Sequence, residues 1–138
     1  MVIKYYFDLM SQPSRALYIF LKLSKIPVEL CPVALRNGEH LTEEFKENYS
    51  KFQKVPFIHD GNFRLTETVG ILRYLTREYP TEDHWYPNDS KQQAKVDEYL
   101  EWQHLNTRLF CASYFQTKMV ATNSDWKATL STKTRKML

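Results

Sequence analysis

The sequence predicts a mixed α/β unit followed by an all-helical segment. Three observations carry that expectation. Between residues 2 and 79, short β-rich runs alternate with helical periodicity in the order βαβαββα. An Asp60-Gly61 turn joins two of the runs tightly enough to force an antiparallel pair. From Asp89 to the end of the chain there is neither proline nor glycine, and large apolar residues accumulate.

Each element follows from its own residues. Val2 to Phe7 is a strand, and Pro13 opens a helix where a missing N–H costs least. Ala16, Phe20 and Leu23 recur at helical spacing and mark its expected buried face, with Arg15, Lys22 and Lys25 elsewhere on the wheel. Pro27 ends the helix, and Val28 to Val33 gives a second strand. Thr42, followed by Glu43 and Glu44, predicts a short capped helix to about Asn48. Val55 precedes Pro56 and is pushed toward extended geometry. Phe57-Ile58-His59 and Phe63-Arg64-Leu65 then form the hairpin around Asp60-Gly61. A helix from Glu67 to Tyr79 carries Val69, Leu72, Leu75 and Tyr79 at helical spacing. The crossover after the first strand favours a parallel pair and the tight turn an antiparallel one, so the unit is a mixed sheet of the thioredoxin kind.

The remainder is organised differently. Residues 80–89 are a linker bounded by Pro80 and Pro87, and 90–120 suit one long helix, about 45 Å at ~1.5 Å per residue. Leu105, Leu109, Phe110, Tyr114, Phe115, Met119 and Val120 exceed what a lone helix can bury, so partner helices or a partner subunit should cover them. Residues 121–138 are rich in Ser, Thr and Lys and read as a disordered basic tail.

Composition narrows the function classes. The chain has 138 residues and is 43% hydrophobic, enough for one ordinary core. Its net charge of +3 resides wholly in that tail, where Lys127, Lys133, Arg135 and Lys136 stand against Asp125 alone. The first 120 residues therefore balance, and neither nucleic acid nor a membrane is an expected partner. No run is long enough to span a bilayer and no signal peptide is visible, so the Asn48-Tyr49-Ser50 and Asn88-Asp89-Ser90 sequons carry no weight. Cys31 and Cys111 form no CxxC and are expected as reduced, buried thiols of a cytoplasmic protein. His59, His84 and His104 match no metal motif, and neither GxGxxG nor GxxxxGKS/T occurs, so no metal or nucleotide site is expected.

One stretch carries most of the functional signal. Lys54 to Thr68 places a backbone edge beside Pro56 and a helix N-terminus at Thr66-Glu67-Thr68. The edge can pair with a peptide-like ligand and the helix end can hold its carboxylate, which makes two halves of a site for a small anionic peptide. Ser11 sits between the first strand and first helix. Local sequence alone favours a plain helix cap, the role of most serines before a proline at a helix start; the alternative is a hydroxyl that, with the helix dipole, stabilises a thiolate.

The Val55-Pro56, hairpin and Thr66-Glu67-Thr68 segment resembles the signature of cytosolic glutathione transferases. Ser11-Gln12-Pro13-Ser14-Arg15-Ala16 resembles the element specific to their theta class, and Val96-Asp97-Glu98-Tyr99-Leu100-Glu101-Trp102-Gln103-His104 resembles the start of that class's helical domain. The likeness runs from residue 2 to about 120, so the chain reads as a truncated or alternatively terminated member, with residues 1–79 as the thioredoxin-like glutathione-binding domain. The resemblance implies a cis Pro56, with Val55 pairing to the cysteinyl unit of glutathione and Glu67 and Thr68 holding its γ-glutamyl end. Lys54 and His40 would face the glycyl carboxylate, and Ser11 would stabilise the thiolate. Arg108 falls where theta relatives direct an arginine at the electrophile, although a solvated helix arginine explains it equally. Tyr6 is the rival to Ser11, because other classes activate the thiol with a tyrosine there. Asn48-Tyr49-Ser50-Lys51-Phe52-Gln53 departs from the family in lacking Asn-Pro and carrying an extra residue. The implied function is conjugation of glutathione, a co-substrate rather than a cofactor, to a small electrophile. A homodimer or a dimer with a full-length relative is implied as well; the competing class is a non-catalytic module that binds glutathione or a partner.

Overall fold

A computed structural model describes residues 2–122, with side chains through Lys118. The elements are β1 (Ile3–Phe7), α1 (Gln12–Leu23), β2 (Val28–Pro32), α2 (Glu43–Asn48), β3 (Phe57–Asp60), β4 (Phe63–Thr66), α3 (Thr68–Glu78), α4 (Ser90–Gln103) and α5 (Leu109–Thr122). The strands form one sheet in the order β2-β1-β3-β4. β1 runs parallel to β2 and antiparallel to β3, and β3 runs antiparallel to β4, which is the expected mixed sheet.

Strand alternation divides the core. Ile3, Tyr5 and Ile58 point to the face covered by α1 and α3, where they pack with Leu17, Phe20, Leu21, Ile71 and Leu75. Phe57 points to the opposite face, where Val33 and Phe45 of α2 meet it and Tyr6, Leu35 and Val55 pack alongside. Tyr5 and Tyr6 accordingly face opposite ways. Tyr5 is fully buried and donates to the Ser14 carbonyl at 2.7 Å, and burial drives its phenol pKa upward.

Several expectations need correction. The buried face of α1 is Ser14, Leu17, Phe20 and Leu21, whereas Ala16 and Leu23 are exposed. Positions 14, 17 and 21 share a stripe at helical spacing as regular as 16, 20 and 23, and the sheet selects between them. Neither cysteine is buried: Cys31 is half-exposed on edge strand β2 and Cys111 is exposed on α5. The single long helix is interrupted by a π turn over His104–Arg108. Helical structure continues to Thr122, and the rest of the expected tail, 123–138, lies outside the described residues.

The chain divides into two compact units, one ending at Gln93 and one starting at Ala94. The first includes the segment after α3. There Trp85 sets its ring edge-on against Phe20 at 5.2 Å, and the Asp83 carboxylate accepts from the backbone and side-chain amides of Asn88 at 2.9 Å. In the second unit the large side chains Leu105, Phe110 and Tyr114 are 73%, 70% and 67% exposed. No helix among the described residues is long and apolar enough to cross a membrane.

Candidate functional site

Register places the candidate residues at one end of the sheet. Tyr6 of β1 lies opposite Phe57, Phe57 lies opposite Thr66, and Phe7 lies beside Pro32. The chain therefore leaves β1 toward Ser11, leaves β2 toward His40, enters β3 from Lys54-Val55-Pro56 and leaves β4 toward Glu67-Thr68, all at the same end. Four stretches remote in sequence become neighbours through strand direction alone.

The Val55–Pro56 peptide is cis. Pro56 is buried, Val55 is half-buried and Lys54 is exposed. Ser11 is the N-cap of α1: its Oγ accepts from the Ser14 N–H at 3.4 Å and donates to the Val55 carbonyl at 3.5 Å. Both bonds are long, so neither holds the hydroxyl tightly and a better acceptor can draw it away. The helix behind it is twelve residues long with no acidic side chain in its first turn, leaving the positive end of its dipole uncompensated.

Glu67 precedes α3 at φ 68°, a left-handed conformation that a residue with a Cβ rarely adopts. It is exposed, its carbonyl accepts from the Ile71 N–H at 2.9 Å, and its side chain makes no cap bond. The carboxylate is thus not engaged as a helix cap, the local role its position otherwise suggests. Strain at such a point is often kept for function. Thr68, half-buried, is the first residue of the helix. His40 lies half-buried in a short 3₁₀ turn, Glu39–Leu41. Arg108 belongs to the second unit, in the π turn, with Nη1 3.2 Å from His104 Nδ1.

Tyr6 is differently placed from Ser11. Its ring stacks on Phe57 at 4.4 Å and meets His59 at 4.8 Å, and its pKa is raised, chiefly by burial. A phenol so placed is a worse acid than a free one.

Asp8 and Arg15, neither of them an expected site residue, build the loop around Ser11. Asp8 accepts from the Met10 N–H at 2.8 Å through one oxygen and from the Leu35 N–H at 3.1 Å through the other, tying the β1–α1 loop to the segment leading to His40. The first is an Asx turn, legible from an Asp at a strand end; the second joins residues far apart in sequence. Arg15 reaches back to the Leu9 and Met10 carbonyls at 2.6 and 3.2 Å.

The family model "Glutathione S-transferase, N-terminal domain" matches residues 1–77. Glutathione S-transferase theta-1 from Bos taurus is 52% identical over 111 residues, covering 80% of this chain and 46% of that protein. The human theta-1 protein is 50% identical over the same length, again 46% of its own. The chain thus spans about half the length of these relatives. Among solved structures, apo human glutathione S-transferase T1-1 superposes with a TM-score of 0.70 at 52% identity, covering 74% of this chain and 42% of that one. Human glutathione transferase theta-2, solved with glutathione and an unknown ligand, gives 0.71 at 47% identity over the same shares. With the thioredoxin-like sheet in place and more than half of its residues matched by the domain model, the chain belongs to the glutathione S-transferase family, and these relatives are theta-class members.

Proposed function

We propose that the chain acts as a theta-type glutathione transferase, joining reduced glutathione to a small electrophile in the cytoplasm and needing no separate cofactor. The observation that carries this reading is the 3.5 Å approach of Ser11 Oγ to the Val55 carbonyl. It sets a movable hydroxyl next to the backbone edge where the cysteinyl unit would pair. The ligand held in solved human theta-2 supports glutathione as the occupant.

In this mechanism the Val55 backbone aligns the cysteinyl unit and the Glu67 carboxylate pairs with the γ-glutamyl ammonium. The Thr68 amide and hydroxyl receive the adjoining carboxylate, and Lys54 and His40 receive the glycyl carboxylate. Ser11 turns its O–H from Val55 to the sulfur, and with the α1 dipole favours loss of the thiol proton to solvent. The thiolate attacks an electrophilic carbon, a C–S bond forms, and the leaving group departs with the bonding electrons. Bond formation benefits from fixed orientation and from a donor already in place. Arg108 would act on the electrophile's side, and the working assembly would be a dimer, with a second copy or a full-length relative.

Retention on immobilised glutathione, weakened by Glu67→Ala, tests the binding half. Titration of the bound thiol and steady-state turnover test the chemistry. Ser11→Ala should raise the pKa of bound glutathione and reduce turnover by roughly 10- to 1000-fold, the range for losing one transition-state donor. Tyr6→Phe should leave turnover nearly intact, losing at most about 1 kcal/mol of hydrogen bonding. The reverse ordering would overturn the theta assignment, and binding without turnover would leave a glutathione-binding module.

A further inference from the structure

His59 lies outside every role assigned above, yet it reaches the segment that carries Lys54 and Val55. Its Nε2 is 3.1 Å from the Tyr49 carbonyl. A carbonyl only accepts, so the ring nitrogen carries the hydrogen and donates. Tyr49 is the C-cap of α2, the point at which the chain leaves the helix for the loop that re-enters the sheet at Phe57. One bond therefore joins the start of that loop to the strand at its end.

The rest of the loop is sparsely held. Ser50 N–H donates to Phe45 and Gln53 N–H to Ser50, while the Gln53 side chain reaches the Thr42 carbonyl at 3.3 Å. Gln53 itself sits at φ 51°, an unfavourable region for a residue with a Cβ. This is the stretch whose sequence departs from the family pattern. The ring of His59 lies against the stacked pair Tyr6 and Phe57, at 4.8 and 5.3 Å, and Tyr49 in turn packs edge-on against Tyr6 at 5.7 Å. Lys4 and Arg64 are its partners across the strands, so the same row of the sheet sets cations on either side of the imidazole.

We propose that His59 is a positioning residue for glutathione: its hydrogen bond to Tyr49 clasps the α2–β3 loop and sets the Lys54–Val55 edge that the ligand uses. This rests on the glutathione reading given above. Without the donor, α2 and β3 stay in place through Phe45 and Phe57, but the segment between them gains freedom that binding must then remove.

The test compares His59→Phe, which keeps a packed ring and loses the donor, with His59→Gln, which retains an N–H. Calorimetric binding of reduced glutathione should weaken roughly 3- to 10-fold in His59→Phe, the scale of one lost hydrogen bond, and less than about 2-fold in His59→Gln. In a Lys54→Ala background His59→Phe should add little, because the two changes act on one contact. Trypsin cleavage after Lys51 in the ligand-free chain should speed up in His59→Phe and not in His59→Gln. Wild-type affinity and cleavage in His59→Phe would overturn the proposal, as would equal losses in both variants or a full additional loss on top of Lys54→Ala. If His59→Phe does not fold, His59→Leu takes its place. A wild-type chain that binds no glutathione overturns the functional reading, and with it the ligand role of His59, while the cleavage comparison still decides whether the clasp exists.

Discussion

The sheet unit and the helical unit handle their large apolar side chains in opposite ways. In the sheet unit, Ile3, Tyr5, Leu17, Ile58, Ile71 and Leu75 have no solvent exposure. In the helical unit, α4 has no buried residue, and Leu105, Leu109, Phe110, Tyr114 and Phe115 of the π turn and α5 are exposed. The first pattern satisfies itself: a two-residue alternation along the strands supplies both faces of the sheet, and three short helices cover them. The second pattern is left open among the described residues, because α4, the π turn and α5 succeed one another along the chain and supply no facing layer for their large side chains. The described helices of the second unit therefore add little to the core, while the first unit carries one of its own.

Core truncation should break this contrast most visibly if it is wrong. Leu75→Ala should lower unfolding free energy by about 2–5 kcal/mol, the usual cost of a cavity under a buried leucine. Leu105→Ala, on a side chain 73% exposed, should stay within about 0.5 kcal/mol. Urea titration of both variants measures the difference, and comparable losses would mean that α4 and α5 share the core after all. Next in size is association. The purified chain should sediment as more than a monomer, and Phe110→Asp should shift it toward the monomer. A monomer before and after the substitution removes the need for any covering surface.

The smallest effect sharpens the picture within the sheet unit. Tyr74 on α3 donates to the Asp60 carboxylate at 2.7 Å, joining the hairpin turn to the helix. That bond, with burial behind it, pushes the Tyr74 phenol up to about 12 from 10.0. The unfolded chain therefore loses this proton first. Tyr74's stabilising contribution is complete below pH 10 and is lost as the pH climbs through about 12. Tyr74→Phe should flatten part of the decline of stability across that window. Only part is expected, because Tyr5, Tyr6 and Tyr79 are raised as well and remain. An unchanged slope would show that the Tyr74 bond adds no pH dependence.

What could be read in the sequence was whatever depends on neighbours along the chain. Thr42 announced the cap it makes to Phe45, and Asp60-Gly61 the turn between β3 and β4. Features set by partners far away could not be read. The stripe of Leu17 and Leu21 prevailed over that of Ala16 and Leu23 because of what lay beneath it, and both stripes have helical spacing. Asp8 bonding to Leu35 and His59 bonding to Tyr49 join separate segments, and nothing in either residue's own surroundings names its partner. The candidate site was legible as parts: Val55 stood out through the proline after it, whereas Ser11 and Glu67 read locally as helix-start residues and gained a role only through the family resemblance. Their placement at one end of the sheet came only with the register. The π turn at His104–Arg108 left no local signal, since no proline or glycine marks it.

The edge-on contact between Trp85 and Phe20 bears on where the molecule can be cut. A fragment ending at Tyr79 would retain every strand of the sheet yet leave one side of a core phenylalanine open to water. It would also lose buried Pro87 and the bond that the Gln93 side chain gives it. A fragment carried on to Gln93 keeps that cover. For expression of the sheet unit alone, or for grafting it onto another helical partner, the fusion point belongs inside the first turns of α4, with Trp85 travelling as part of the cargo.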